Sequence, residues 1–395
     1  MQQLKRNSAP TIKARICSLF LCWLALSAIF FPSQVHADGG APNLAYVAGT
    51  PQGVSVIDVA QQKVNGGFAA SGGSSTILLS PDGSLLYVTQ AASGQVTALA
   101  AKTGQMICTF TFPGHPALLA MNIDRTVLYA AGVHETTIVA LDAQTCALQR
   151  SFQTTQPITW LATAGITTGT ALSTQLWVAG TTAVSILDEQ GQVLDSIPIA
   201  GGPRFLCLPN ELTAYIATGQ GSVVAVDMVT HQVFASLLTG GTFGSMDYDA
   251  VTGDIYVPDA QHDQVDVLSP VLSGSPLMPQ EPQRILRVSG SPRAIAITND
   301  GQFGFVALRE GRVDMLDIPG RRIVKTLLVG GEPSFIITGP YPPSDVPTPK
   351  LPAAAQPNIP LLALAAALLL AVLLGACWFI WRYRKRRGSL KFDFW

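Results

Sequence analysis

At 395 residues, the chain is long enough for two or three average domains, or for one repeat array that uses most of this length. Its 36 glycines, 27 prolines and charged fraction of only 12% favour many short strands joined by tight turns. Residues 38–358 carry 14 basic and 24 acidic side chains, a net charge of −10. A segment this acidic repels phosphate backbones, so we expect no nucleic acid partner.

Residues 1–37 have the pattern of a secretory signal peptide. Four basic side chains precede an apolar run over residues 16–31, and Val35 and Ala37 have the branched or small character that signal peptidase favours at −3 and −1. We expect cleavage after Ala37. An uncleaved anchor is the alternative, because the apolar run approaches the length needed to span a membrane.

Residues 44–339 contain seven copies of a repeat unit of about forty residues. Each unit contains four short apolar or alternating runs, which in the first unit cover residues 45–48, 54–58, 63–68 and 76–80. A four-stranded sheet of this size cannot bury both faces alone, so the sheets are expected to stack face to face around an axis. The units align on one aromatic residue each: Tyr46, Tyr87, Tyr129, Trp177, Tyr215, Tyr256 and Phe305.

Three recurring stretches carry a family resemblance. Tyr87-Val88-Thr89, Val54-Ser55-Val56-Ile57-Asp58 and Ser80-Pro81-Asp82-Gly83 resemble the YVTN-type β-propeller repeat of bacteria and archaea, which is related to WD40 blades. The resemblance covers residues 44–339 and implies an all-β, seven-bladed β-propeller. In such propellers a Pro-x-x-apolar run forms the innermost strand of a blade, and the candidates here are 75–80, 117–121, 158–163, 204–208, 243–248, 293–298 and 334–338.

The order of the strands predicts that both ends of the array close the ring. The array begins at Tyr46 with the second strand of a blade and ends at residues 334–338 with an innermost strand. The last strand can therefore complete the blade that the N-terminal strands begin. Closure of this kind removes the exposed sheet edges that an open stack would keep.

Aspartate ends the third strand of five units, where its carboxylate can accept backbone N–H groups of the following turn. We assign these residues a structural role, because five acids distributed around a ring cannot form one active site. They are Asp58, Asp142, Asp188, Asp227 and Asp317.

The cysteines do not suggest a disulfide framework. Of the six, two lie in the leader and one in the last apolar segment, which leaves Cys108, Cys146 and Cys207 on different repeats. Because this number is odd and the positions are scattered, we expect isolated thiols rather than a bridge.

Two insertions depart from the repeat. Residues 165–175 lengthen the loop between the first two strands of one blade, and residues 270–282, with four prolines, lengthen the link to the outermost strand of another. Loops carry function more often than strands do, so both are candidate contact surfaces. Neutral surface loops are the alternative.

The composition after residue 339 predicts a membrane anchor. A proline-rich linker (340–358) precedes an uncharged apolar segment (359–381) that is long enough to span the membrane as a helix. The basic tail (382–395) should stay in the cytoplasm, which places the propeller outside it on a single-pass membrane protein. A buried soluble helix and a sortase-type anchoring signal are the alternatives, although Leu351-Pro352 is not followed by the Thr-Gly that such a signal needs.

Ligand sites in propellers usually lie on one face, formed by the loops that enter the innermost strands and the loops that join the second and third strands. Convergence of polar side chains on the channel mouth favours a small-molecule site there, and dispersal favours a protein contact surface. The candidate ligand contacts in these loops are His115, His134, Glu135, Arg204, Asp259, His262, Asp263, Arg293, Arg309 and Glu310, with Glu332 as a further charge.

No catalytic, metal-binding or haem-binding motif accompanies these residues, so we expect neither enzymatic activity nor a metal or other cofactor. The preferred function is a binding module for an extracellular protein or glycan. A lactonase-like hydrolase that uses His115, His134 and His262 at the channel mouth is the alternative, because lactonases occur among propellers with similar repeats. A scaffold that assists metal or electron-transfer partners is a third hypothesis.

Overall fold

The computed structural model describes residues 44–343 except 71–72, 169–170, 277 and 280. These residues form seven four-stranded antiparallel sheets, the blades of an all-β, seven-bladed β-propeller. The predicted signal peptide, membrane span and basic tail, and the linker after residue 343, lie outside the described residues. Within the described part of the chain, no helix has the length and apolar character that crossing a membrane requires.

Each blade is given with its innermost strand first. Blade 1 contains β28 (Phe335–Gly339), β1 (Leu44–Thr50), β2 (Gly53–Asp58) and β3 (Lys63–Ala69); blade 2 contains β4 (Ser74–Leu79), β5 (Leu85–Gln90), β6 (Gln95–Ala100) and β7 (Met106–Thr111); blade 3 contains β8 (Pro116–Met121), β9 (Val127–Gly132), β10 (Thr137–Asp142) and β11 (Leu148–Gln153); blade 4 contains β12 (Trp160–Thr168), β13 (Ala171–Ala179), β14 (Ala183–Leu187) and β15 (Val193–Pro198). Blade 5 contains β16 (Pro203–Cys207), β17 (Thr213–Thr218), β18 (Ser222–Asp227) and β19 (Gln232–Thr239); blade 6 contains β20 (Asp247–Tyr248), β21 (Ile255–Asp259), β22 (Gln264–Leu268) and β23 (Arg284–Arg287); blade 7 contains β24 (Pro292–Ile297), β25 (Phe303–Leu308), β26 (Arg312–Asp317) and β27 (Arg322–Leu328). A 3-10 turn, Ala91–Ser93, joins β5 and β6.

The second strand of each blade is buried on both sides, because neighbouring blades pack against its two faces. The seven aromatic residues that align the repeats all lie on these strands and are at most 2% exposed. Outermost strands such as β7 instead alternate between buried and exposed positions. The core is therefore a series of layers between blades, as where Leu85 and Tyr87 of blade 2 pack with Leu119 and Val139 of blade 3.

Strands from both ends of the array share blade 1. β28 pairs antiparallel with β1, with Tyr46 opposite Ile337 and Leu44 opposite Gly339. The ring is thus closed by hydrogen bonds between the first and last strands, as the order of the repeats predicts. Each of the seven blades formed by the described residues therefore has four hydrogen-bonded strands.

The five aspartates predicted to support the turns after the third strands do so. Asp58 Oδ1 accepts the N–H of Gln61 at 2.8 Å, and Asp227 Oδ1 accepts those of Val229 and Thr230 at 2.9 and 2.8 Å. The other three accept backbone N–H groups of their own turns in the same way: Asp142, Asp188 and Asp317. Their structural role is confirmed.

The two insertions differ in structure. The segment 165–175 lengthens β12 and β13 into a hairpin of nine-residue strands, in keeping with its isoleucine and threonine content. The segment 270–282 contacts blade 5, where the Tyr215 hydroxyl accepts the N–H of Val271 at 2.9 Å and the Thr213 hydroxyl donates to the Val271 carbonyl at 2.8 Å.

Cys108 and Cys146 form a disulfide bond, so the expectation of isolated thiols is wrong for this pair. Cys108 lies on β7 at the outer edge of blade 2, and Cys146 lies in the turn between β10 and β11 of blade 3. Their separation of 38 residues is close to one repeat, and residues one repeat apart lie on neighbouring blades, here with Cα atoms 5.7 Å apart. Cys207 is a free, buried thiol.

Candidate functional site

The start of each innermost strand and the turn between the second and third strands of each blade lie on one side of the propeller, which we call the upper face. At its centre, six of the seven blades line a cavity of about 320 Å³, the vestibule. Blade 3 is the exception. The vestibule is the mouth of the central channel, the position where propellers can hold a ligand that touches several blades at once.

Three aromatic rings form the floor of the vestibule. Trp160 of blade 4 and Phe335 of blade 1 lie with ring centroids 5.8 Å apart, and Trp160 meets Phe205 of blade 5 edge to face at 5.0 Å. Because blades 1 and 4 are on opposite sides of the ring, the contact between their side chains spans the channel. A ligand entering from the upper face therefore meets an apolar, aromatic surface.

Three of the candidate contacts, Arg204, Arg293 and Arg309, line the vestibule together. Arg293 makes an ion pair with Glu332 at 3.1 Å, and the Arg204 guanidinium lies over the ring of Phe205, 5.4 Å from its centroid. Arg204 and Arg309 are exposed, and neither has an ion-pair partner within the described ranges. The mouth of the channel is thus positively charged.

An irregular junction between blades 6 and 7 positions Arg293. The Gly244 N–H donates to the Pro258 carbonyl, and the Ser245 N–H donates to the Arg293 carbonyl, both at 2.9 Å. Residues 243–248, predicted as a full innermost strand, contain regular strand only in the two residues of β20. Pro258 on the adjacent β21 has no N–H to donate, which interrupts the ladder and turns Ser245 towards the neighbouring blade.

A second cavity of about 440 Å³, the apolar pocket, lies beside the vestibule. The two cavities share Trp160, Arg204 and Phe205 as a common wall. Val133 and His134 form another part of the apolar pocket, and the His134 backbone is held in the left-handed region with its N–H donating to Ile158 at 2.7 Å. The remaining lining consists of Thr159, Thr181, Gly201, Gly202, Pro203 and Gly219.

Two further predicted contacts, His115 and Glu135, pair with each other. Glu135 Oε1 accepts the backbone N–H of His115 at 2.8 Å and lies 3.5 Å from its imidazole Nδ1. The His115 side chain is 80% exposed. Glu310 lies apart from both, 3.8 Å from Arg312 on blade 7. These three side chains belong to the rim of the upper face and do not line the vestibule.

Asp259 and His262 form a carboxylate–imidazole pair on blade 6, with His262 Nδ1 2.5 Å from Asp259 Oδ2. The Asp259 side chain is 3% exposed and also accepts the N–H groups of Thr242 and Gln261 at 3.0 Å, so it orders this turn. Burial and the Asp259 carboxylate raise the pKa of the nearby Asp266 to about 6. Asp263 is exposed and has a left-handed backbone in the same turn.

A lower cavity of about 260 Å³ continues along the channel past Phe335. Its lining includes Asp247, whose carboxylate Oδ2 accepts the N–H of Ile297 at 2.7 Å. Burial raises the pKa of Asp247 to about 6. In the described residues, the lower cavity included, no group of three or more His, Cys, Asp or Glu side chains is arranged to hold a metal ion.

The arginines of the vestibule were predicted from the sequence as ligand contacts, whereas the aromatic floor and Asp247 were not. Trp160, Phe205 and Phe335 each stand near the start of a predicted innermost strand. That position was a usable signal, because innermost strands of a propeller present side chains to the channel.

No protein-family profile and no curated protein matches the sequence. Solved structures do match. The β-propeller domain of Myceliophteria thermophila Cps50 (Swd1) gives a TM-score of 0.59 at 14% identity, over 69% of this chain and 91% of that one. A chain of the mitotic checkpoint complex gives 0.59 at 16% identity, over 70% and 84%. The dihydro-heme d1 dehydrogenase NirN, in complex with DHE, gives 0.56 at 15% identity, over 75% of both chains. These similarities show a β-propeller fold.

Proposed function

We propose that this chain is an extracytoplasmic β-propeller of the YVTN type that binds a protein partner through its upper face. The dispersal of candidate contacts such as His115, Glu135 and Glu310 over the rim, outside the vestibule, carries the choice of a protein partner. Arg204, Arg293 and Arg309 provide a charged centre for that contact surface. Residues 38–358 have a net charge of −10, so three arginines around one opening create a local potential of the opposite sign. The dispersed rim side chains, such as those of His115 and Glu310, enlarge the surface that a macromolecule can contact.

The proposed location is outside the cytoplasm, with a signal peptide over residues 1–37 and a single membrane helix over 359–381. The Cys108–Cys146 disulfide supports this location, because disulfides persist in oxidising compartments. Protease added to intact cells should digest the propeller and leave the basic tail protected. Survival of the propeller under conditions that digest a surface control would contradict the location.

Binding without catalysis is supported by the arrangement of the rim histidines. His115 pairs with Glu135 and His262 with Asp259, whereas His134 lines the apolar pocket. No hydrogen bond joins one of these histidines to another in the described part of the chain. Each histidine therefore has its own contacts, and the three are not joined in one hydrogen-bonded set.

One observation favours the alternative, a lactonase-like hydrolase. The buried Asp259 orients the imidazole of His262, which is 48% exposed and lies on the turn that contributes Ala260 to the vestibule. An imidazole held in this way can act as a general base. Turnover of a panel of lactones by the parent protein, lost in His262→Ala, would establish this function. A parent protein without turnover would remove it.

The proposed binding face is tested by site-specific photo-crosslinking in cells that express the full chain. A crosslinking residue at Thr242, which is exposed at the vestibule, should capture a partner protein. The matched control is Asp124, which is exposed in the turn after β8 on the opposite face. Capture at Asp124 alone, or equal capture at both positions, would contradict binding at the upper face. If the partner is a glycan, a soluble preparation of that glycan should compete with binding while no protein is captured at either position.

A further inference from the structure

The vestibule and the apolar pocket form one two-part site on the upper face. Trp160, Arg204 and Phe205 line both cavities, so a ligand that fills one cavity lies directly beside the other. The two parts differ in chemistry. Three arginines line the vestibule, whereas the apolar pocket has Arg204 alone at the shared wall and otherwise presents Val133, Pro203 and glycine backbone.

The protein leaves most of the positive charge of the vestibule without a counterion. Arg204 and Arg309 are exposed and have no ion-pair partner among the described residues. Arg293 is paired with Glu332, but the Glu332 side chain is 75% exposed, so a ligand can replace it at little cost. Guanidinium groups bind carboxylates through paired hydrogen bonds, and this geometry favours a carboxylate as the ligand group.

The apolar pocket indicates which kind of carboxylate ligand fits. Apart from Arg204, its wall consists mainly of aromatic rings, Val133, Pro203 and glycine backbone, and its other polar side chains are those of His134 and two threonines. A large apolar side chain would bury its surface there. In an extended peptide, side chains two positions apart point to the same side and lie roughly 6.5–7 Å apart, which suits two adjoining cavities.

We propose, resting on the function proposed above, that the upper face binds an extended segment of its partner in which an aspartate or glutamate stands two positions from a large apolar residue. The carboxylate pairs with Arg204 and Arg309 above the aromatic floor. The apolar side chain enters the apolar pocket between Val133 and Pro203. Both parts contribute to affinity, and the spacing between them provides specificity.

A display library of random peptides, selected on the full chain in detergent, tests this assignment. Selected peptides should share an acidic residue two positions from a large apolar one. Arg204→Ala and Arg309→Ala should each weaken the selected peptides by roughly tenfold, because each removes a charge-assisted pair. The matched control is Arg322→Ala, which removes an exposed arginine of the outermost strand β27.

Two further variants test the contribution of the apolar pocket, one as the test and one as the control. Val133→Asp places a charge in the pocket and should remove the preference for an apolar residue, whereas Val229→Asp changes an exposed valine distant from it and should have no effect. Selected peptides without an acidic residue, affinities unchanged by both arginine substitutions, or no selected peptides at all would overturn the assignment. Binding of polygalacturonate that depends on the arginines, with no selected peptides, would instead assign the vestibule to acidic glycans. Crosslinking at Thr242 tests the binding face separately and could succeed where this assignment fails.

Discussion

Two tyrosine-to-phenylalanine substitutions should differ in their effect on stability, although both residues occupy the same position in the repeat. Tyr215 and Tyr46 are fully buried on the second strands of their blades. The Tyr215 hydroxyl accepts the N–H of Val271, whereas the Tyr46 hydroxyl is buried without a hydrogen-bond partner among the described residues. Burial raises the pKa of Tyr46 to about 12, so its hydroxyl stays neutral in ordinary buffers.

Tyr215→Phe leaves the buried N–H of Val271 without its acceptor, which should cost about 1–3 kcal/mol. Tyr46→Phe removes an unpaired polar atom, so the free energy of unfolding should stay the same or rise. For a body of about 300 residues, an unfolding entropy of about 2.1 cal/mol/K per residue converts 1 kcal/mol into roughly 1.6 °C. The melting temperature should therefore fall by roughly 2–5 °C for Tyr215→Phe only.

Differential scanning calorimetry of the two variants and the parent measures this difference. Tyr87→Phe provides a second test, because the Tyr87 hydroxyl donates to the Ala143 carbonyl at 2.8 Å and its loss should also destabilise the protein. Equal losses for Tyr46→Phe and Tyr215→Phe would refute the reasoning. Such a result would mean that the two hydroxyls make equivalent hydrogen bonds.

Three other predictions concern the ring. Cys146→Ser should lower the free energy of unfolding by about 3–4 kcal/mol, because the disulfide spans 38 residues. Urea denaturation with and without reductant measures this loss. Equal free energies of unfolding for the parent and the variant would contradict the prediction. Truncation after Gly330 removes β28 and should replace a single calorimetric transition with a broad one, whereas an unchanged transition would show that ring closure is dispensable. Burial raises the pKa of Asp247 from 3.8 to about 6 in the folded state, so the unfolded state releases this proton at lower pH. The free energy of unfolding should therefore fall as the pH rises through about 4 to 6. Asp247→Asn should reduce that fall in melting experiments, leaving the part due to Asp266.

The features that repeat along the chain could be predicted from the sequence, because the same class of residue returns at the same position of successive blades. The aromatic of each second strand, such as Trp177, and the turn aspartates, such as Asp227, repeat their environment from blade to blade. Ring closure followed from the order of the strands alone. The repeat period can be seen in the sequence, and residues at equivalent positions of the repeat have similar burial or similar backbone hydrogen bonds.

Contacts between blades were harder to predict, because they depend on how the sheets face one another. The Cys108–Cys146 bond joins neighbouring outer edges, and the Trp160–Phe335 contact joins blades on opposite sides of the channel. The insertion at 165–175 forms a hairpin because pairing between β12 and β13 satisfies the backbone hydrogen bonds of its threonine-rich sequence. The arginines were found as rim charges, but their convergence depends on the ring geometry.

The affinity for the partner captured at Thr242, measured for the full chain and for the double variant Arg204→Ala/Arg309→Ala, tests the central claim most directly. If the vestibule is the binding site, the double variant should bind at least roughly tenfold more weakly and should lose most of the salt dependence of the parent. Arg322→Ala should bind as the parent does. Equal affinity of the double variant and the parent at all salt concentrations would contradict a binding site at the vestibule.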